Sequence, residues 1–225
     1  VHCQHVTSGR SVELIRQARK RDVPISGEAC PHHFTLTDAA IGGSDHFWAE
    51  DGRDLQTEAQ RTEWPSFDTL CKMNPPLRTA EDRNAIIDGL ADGTLDILAS
   101  DHAPHCAHEK DVEFDYAPFG ITGLETEFAL SLMQLYHGGH LDLPTLIAKY
   151  TTNPARLLNL PKGTLSTGAD ADVTVFDPDA EWVFDVTESP SKSANTPFHG
   201  WTLKGQPIMT LVAGKIVWQI DAVAA

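Results

Sequence analysis

Basic residues are scarce in this chain. The 17 Lys plus Arg stand against 32 Asp plus Glu in 225 residues, a formal charge of −15. A protein that acidic lacks the cationic track of a nucleic-acid groove. Long apolar runs are missing too, since none approaches the ~18 residues of a membrane-spanning helix. The opening Val1-His2-Cys3-Gln4-His5 has no basic stretch leading into an apolar one, so no secretory signal is expected and a cytoplasmic location is. Cysteine is sparse and scattered. Cys3, Cys30, Cys71 and Cys106 form no Cys-x-x-Cys pair, which argues against a zinc knuckle, a redox dithiol or disulfides. A histidine lies two residues after Cys3, Cys30 and Cys106, but buried free cysteine accounts for these positions better than a Cys/His metal cluster does. There is no Gly-x-Ser-x-Gly elbow around Thr7 or Ser8, hence no serine nucleophile. An initiating methionine is lacking, and Val1 to Val6 alternates as a strand already under way. The expectation is a fragment of a longer protein.

What is present suits a globular domain. Apolar residues make up 41% and charged residues 22%, enough for a sizeable core. After the first strand, Ser8 offers a helix N-cap, Val12, Ile15 and Ala18 form one face, and Arg16, Arg19, Lys20 and Arg21 follow where cations favour a helix end. Residues 24–29 read as a strand stopped by Pro31-His32-His33. Cys71 to Asn74 reads as another, stopped by Pro75-Pro76, and Thr79 to Gly93 as a helix with Ile86, Ile87 and Leu90 on one face. Residues 95–100 then give a strand ending at Asp101. Leu124, Phe128, Leu132 and Leu135 share a helical face, followed by shorter helices at 143–150 and 154–158. Residues 42–68 interrupt this rhythm with acids scattered among Phe47, Trp48 and Trp64, and read as an acidic surface insertion. From about 161 to 225 the texture is strand-turn-strand, with strands at 173–176, 208–212 and 216–218 around a turn at Ala213-Gly214-Lys215, a small β-rich region.

Strand-helix repeats with polar residues just past the strand ends predict an α/β fold, a parallel barrel or doubly wound sheet whose site gathers at that edge. His5, the Pro31-His32-His33 turn, Asn74 and Asp101 occupy those ends. An imidazole at His5 and a carboxylate at Asp101 are ligand types of a hydrolytic zinc centre. Two ligands are too few, and no His-x-His pair occurs in the chain, so a complete site needs residues outside it. On a strand, His2 and His5 fall on opposite faces, as do His32 and His33. His2, His32 and His33 are read as core or turn residues, and His46, His108, His137, His140 and His199 as surface or structural ones.

The motifs His5-Val6-Thr7-Ser8, Pro31-His32-His33, Asn74-Pro75-Pro76-Leu77-Arg78, Asp101-His102-Ala103-Pro104-His105, Ala117-Pro118-Phe119-Gly120 and Asn195-Thr196-Pro197-Phe198-His199-Gly200-Trp201 together resemble the bacterial class I dihydroorotases of the amidohydrolase superfamily. The resemblance covers nearly the whole chain outside 42–68. It implies the last strands and helices of a (β/α)₈ barrel over residues 1–160 and a small β-rich domain over 161–225. It also implies zinc, usually two ions per full-length subunit, with His5 a ligand of one and Asp101 a ligand of the other and the proton-shuttling base. Asn74, His105, Phe119 and Gly120 match substrate-binding positions, and Arg78 a loop-orienting one. The implied reaction closes N-carbamoyl-L-aspartate reversibly to (S)-dihydroorotate in de novo pyrimidine synthesis, with the fragment inactive alone. Allantoinase, dihydropyrimidinase and a non-catalytic subunit that scaffolds aspartate transcarbamoylase are the alternatives. A homodimer and association with aspartate transcarbamoylase are the macromolecular partners the resemblance suggests.

Overall fold

The computed structural model describes residues 1–51, 53 and 55–220. Three short parallel strands, β1 (His2–Cys3), β2 (Ser26–Ala29) and β3 (Ile97–Leu98), lie side by side in that order. The register pairs Cys3 with Gly27 and Ala29 with Leu98. Between β1 and β2 runs α1 (Gly9–Arg19). Ser8 caps it by accepting from the Ser11 amide at 3.2 Å, and Val12, Ile15 and Ala18 are buried. Its counterpart α4 (Ala80–Ala91) is capped by Thr79 and buries Ile86, Ile87 and Leu90. The two helices pack closely because Gly89 has no side chain, as a Cβ there would stand 2.7 Å from Val12 Cγ1. Arg16 bonds Asp92 at 2.7 Å and Arg19 pairs with Asp96, so the basic end of α1 is tied to the segment entering β3.

Between β2 and α4 the chain forms α2 (Pro31–Thr35) and α3 (Ser44–Asp51). No strand forms at 71–74. Asp68 accepts from the Leu70 amide at 2.8 Å and starts a single helical turn at Thr69–Cys71, and the prolines behind it supply no amide for a ladder. The 42–68 stretch is more than surface decoration. Phe47 is fully buried, Trp48 and Trp64 pack with it, and Trp48 stacks against Trp201 with centroids 5.4 Å apart. The aromatics embedded among the acids anchor the segment, and Asp51 is buried between Arg53 and Arg83.

After β3 come α5 (Ala107–Lys110) and α6 (Glu127–Ser131), the latter widening into a π-helical turn at Leu132–His137. The helix expected from Leu124 begins later because the Gly123 and Leu124 amides donate to His102 Nδ1 and hold a turn. Helices α7 (Leu143–Tyr150) and α8 (Thr152–Leu157) precede an antiparallel sheet in the order β4 (Val173–Val183), β5 (Thr202–Val212), β6 (Lys215–Gln219). Ala213 and Gly214 both have positive φ and close the two-residue hairpin at the predicted turn. One apolar cluster gathers α1, α4, α7 and the parallel strands. A second joins Leu36, Phe47, Met73, Leu77, Ile121 and Leu130 to Phe184, Phe198, Trp201 and Leu203, so the root of the antiparallel sheet shares a core with the segment between β2 and α4. No described helix is long and apolar enough to cross a membrane.

Candidate metal centre

His5 and Asp101 follow β1 and β3, and both leave the extended conformation, with φ of +50° and +48°. Non-glycine residues adopt this region at a cost of about 1–3 kcal/mol when the surroundings enforce it. Here the next residues are pinned. Val6 donates to the Glu28 carbonyl at 2.9 Å, and Ala103 to the Ile121 carbonyl at 2.8 Å. The turns aim His5 Nε2 at Asp101 Oδ1, 3.6 Å away.

Behind the pair lies Glu28 of β2, which sequence reasoning missed. Its buried carboxylate sits 3.0 Å from His5 Nδ1 and bonds His2 Nε2 at 2.8 Å, while His2 Nδ1 meets Ser26 Oγ at 2.8 Å. Both histidines thus converge on one carboxylate, although strand alternation would send them apart. The alternation ends at Cys3, and the left-handed turn at His5 brings its ring back. A carboxylate behind an imidazole fixes which nitrogen faces forward, an arrangement typical of metal-ligating histidine. The signal was an ionisable residue among the small residues of Ser26-Gly27-Glu28-Ala29, within a stretch that reads as a strand. Burial raises the Asp101 carboxyl above the usual carboxylate range; His5 opposes that shift and the Glu28 charge adds to it.

Ligand atoms of His5, Cys30 and Asp101 lie within 4.8 Å of one another, and Cys30 Sγ is 3.3 Å from His5 Nδ1. Imidazole and carboxylate are ligand types that zinc accepts, so His5 and Asp101 fit the ion that the motifs imply, whereas Cys30 lies on the Nδ1 side of the ring, beside Glu28. Next to them, His32 and His33 are buried in the first turn of α2, as expected of core or turn residues, but His32 Nε2 and His33 Nδ1 have no hydrogen-bond partner. Burial lowers the pKa of both, that of His33 to about 4.

The other predicted residues gather around the loop after Asp101. His105 Nε2 bonds the Phe119 carbonyl at 2.9 Å. Gly120 is required by close approach: its φ is +118°, and a Cβ would meet Ala103 Cβ at 2.5 Å. Asn195, buried, accepts from the His105 amide at 3.0 Å and donates to the carbonyls of Ala103 and Gly120. It clamps the loop, and sequence reasoning gave it no role. Phe119 is exposed, with Lys72 Nζ over its ring at 4.8 Å. Asn74 is exposed and enters through its neighbour, whose Pro75 carbonyl accepts from His33 Nε2 at 2.8 Å. His46, His108, His137, His140 and His199 are all exposed.

A family model described as the amidohydrolase family matches residues 1–217. Curated relatives include a dihydroorotase of Syntrophus aciditrophicus (strain SB), 48% identical over 98% of this chain and 46% of its own, and one of Pelotomaculum thermopropionicum, 47% identical over 97% of this chain and 46% of its own. The chain therefore spans about half the length of the curated relatives it matches. Among solved structures, the L-hydantoinase (dihydropyrimidinase) of Arthrobacter aurescens superposes with a TM-score of 0.80 at 29% identity, covering 97% of this chain and 44% of that one. The dihydropyrimidinase of Brevibacillus agri NCHU1002, at 23% identity and the same TM-score and coverage, shares the fold. With its parallel strands, the polar residues at their ends and the match along nearly its whole length, this chain belongs to the amidohydrolase family and is a partial α/β barrel of it.

Proposed function

We propose that the full-length protein is a zinc-dependent dihydroorotase that interconverts N-carbamoyl-L-aspartate and (S)-dihydroorotate in pyrimidine synthesis, with residues 1–160 in the barrel and 161–225 in the small β-rich domain. The observation that carries this reading is the approach of His5 Nε2 to Asp101 Oδ1 at two neighbouring strand ends, backed by Glu28. The names of the curated relatives point the same way. His5 and Asp101 would be the chain's zinc ligands, with the remaining ligands, and room for a second ion, in the rest of the protein. Bound zinc supplies Lewis-acid chemistry, acidifying water and polarising an amide carbonyl. Asp101 accepts the proton of the water that adds to the ring carbonyl and returns it to the ring nitrogen as the C–N bond breaks. Burial pushes the Asp101 carboxyl up, and a bound cation beside it would favour the ionised form that this role needs. Asn74 offers amide donor and acceptor groups to the ureido portion, and the Phe119 and Gly120 backbone borders the same loop. His105 can donate to a substrate carboxylate once it exchanges its bond to Phe119. A cytoplasmic enzyme acting on a small molecule, homodimeric and associating with aspartate transcarbamoylase, belongs to the same reading.

The likeness to an L-hydantoinase favours a second reading, in which another cyclic amide is opened. Ring opening of dihydroorotate, allantoin and dihydrouracil by the full-length protein separates the two. Dihydroorotate should be preferred by about 100-fold or more in kcat/KM, since a site built for a carboxylate rejects substrates lacking one. Turnover of allantoin or dihydrouracil alone overturns the proposal, and inactivity on all three would favour a scaffolding subunit.

A further inference from the structure

Cys30, His32 and His33 fall within the four-residue stretch 30–33 across the joint between β2 and α2, and their ligand atoms lie within 4.8 Å of one another. Each imidazole presents a bare nitrogen to buried space. His33 Nε2 faces the Pro75 carbonyl at 2.8 Å. A carbonyl only accepts, so Nε2 carries the proton and Nδ1 keeps a free lone pair, buried and unpartnered. His32 Nε2 is likewise buried without a partner. The rings are adjacent, with centroids 4.1 Å apart. Buried polar atoms without partners are uncommon in folded proteins because their desolvation is uncompensated. Two of them beside one thiol, one belonging to a histidine whose other nitrogen is held by a backbone carbonyl, reproduce the way proteins orient metal-ligating imidazoles.

We propose that Cys30, His32 and His33 form a binding site for a soft divalent cation of the zinc type, adjoining the His5–Asp101 pair. A tetrahedral zinc ion would need these atoms about 3.3–3.7 Å apart. With the atoms no more than 4.8 Å apart, the contraction required is at most about 1.5 Å. Binding releases the thiol proton to solvent, so the thiolate and two neutral imidazoles leave one net positive charge and one open position on the ion. The Cys30-x-His32 spacing is visible in the sequence, but buried free cysteine is the preferred reading there because nothing in the sequence shows that the imidazole nitrogens beside the thiol lack partners.

The test uses the full-length protein, reduced, stripped of metal and titrated with Co²⁺. The wild type should show a thiolate-to-cobalt charge-transfer band in the near ultraviolet. C30S should abolish the band, and the double variant H32Q/H33Q should weaken it at least severalfold and bind one cobalt fewer per chain. H5Q should keep it. A wild type with no such band overturns the proposal. So does a band lost in H5Q but retained in H32Q/H33Q, because the thiol would then serve the His5–Asp101 ion. X-ray absorption on the wild-type zinc protein depends on no variant: sulfur at ~2.3 Å from zinc is expected, and its absence overturns the site.

Discussion

The parallel and antiparallel sheets of this chain use strands in opposite ways. β1 and β3 are two residues long and β2 four, and Glu28, Ala29, Ile97 and Leu98 are buried. β4 and β5 run for 11 residues each, and β6 is exposed throughout, with Val217 at 60% and Trp218 at 46%. Short buried strands act as mounts. The polar side chains that meet, His5 and Asp101, sit just beyond their ends, where the backbone turns left-handed. Along β4 half-buried and exposed residues alternate from Phe176 to Val183, β5 is buried only near its start, at Leu203 and Gly205, and no potential metal cluster lies on these strands among the described residues. The sharpest way to break this contrast is to remove the strand-end carboxylate. In the full-length protein, Asp101→Ala should lower kcat/KM about 10³-fold or more, as expected when a metal ligand and general base are lost together. His140→Ala, at an exposed residue, should change it less than about twofold. Comparable losses in steady-state assays of the two variants would discredit the strand-end site.

Much of this was legible in the residues. The caps at Ser8 and Thr79, the apolar faces of α1 and α4, and the hairpin at Ala213-Gly214 follow from local chemistry that tertiary structure did not override. His5 and Asp101 could be placed at strand ends because an alternating stretch leads to the first and an apolar run to the second. Glu28 and Asn195 were not. Both act on groups distant in sequence, and a carboxylate or amide carries no periodic signature of its partner. The short helix at 127–131 was misjudged at its start for the same reason, since His102, 21 residues before Gly123, holds the turn that delays it. Phe47 of the acidic segment shares a core with Phe198 and Trp201, and its neighbour Trp48 packs on Trp201, partners that no local window includes.

A smaller effect separates the root of the antiparallel sheet from its edge. Trp201 is fully buried, packs edge-on against Phe198 at 5.2 Å and stacks on Trp48, whereas Trp218 is exposed. Trp201→Ala should destabilise the protein by about 3–5 kcal/mol through the cavity it leaves. Trp218→Ala should cost no more than about 0.5 kcal/mol in the subunit. Urea unfolding of the full-length variants measures both. If the edge tryptophan proved as costly as the root, the exposed face of β6 would have to be covered in solution.

Glu127 joins the two regions. It opens α6 and lines the same open groove as Phe176 and Pro207 of the antiparallel sheet. Burial raises its carboxyl from the ordinary 4.5 to about 7. Below 4.5 the group is protonated whether the chain is folded or unfolded, and it imposes no penalty. Between 4.5 and 7 the unfolded chain ionises while the folded one holds its proton, so the folded state binds more protons and stability falls as pH rises. With a discount for its partial exposure, the loss across that window is about 1–2 kcal/mol. Glu127→Gln removes the titration. The stability of the variant relative to the parent should therefore climb by about that amount from pH 4.5 to 7 and then level off. Urea denaturation of both full-length proteins at half-unit pH steps follows the difference. A difference that stays flat would mean that water reaches the carboxylate, and that the groove between α6 and the sheet is open enough to leave the two regions uncoupled at this point.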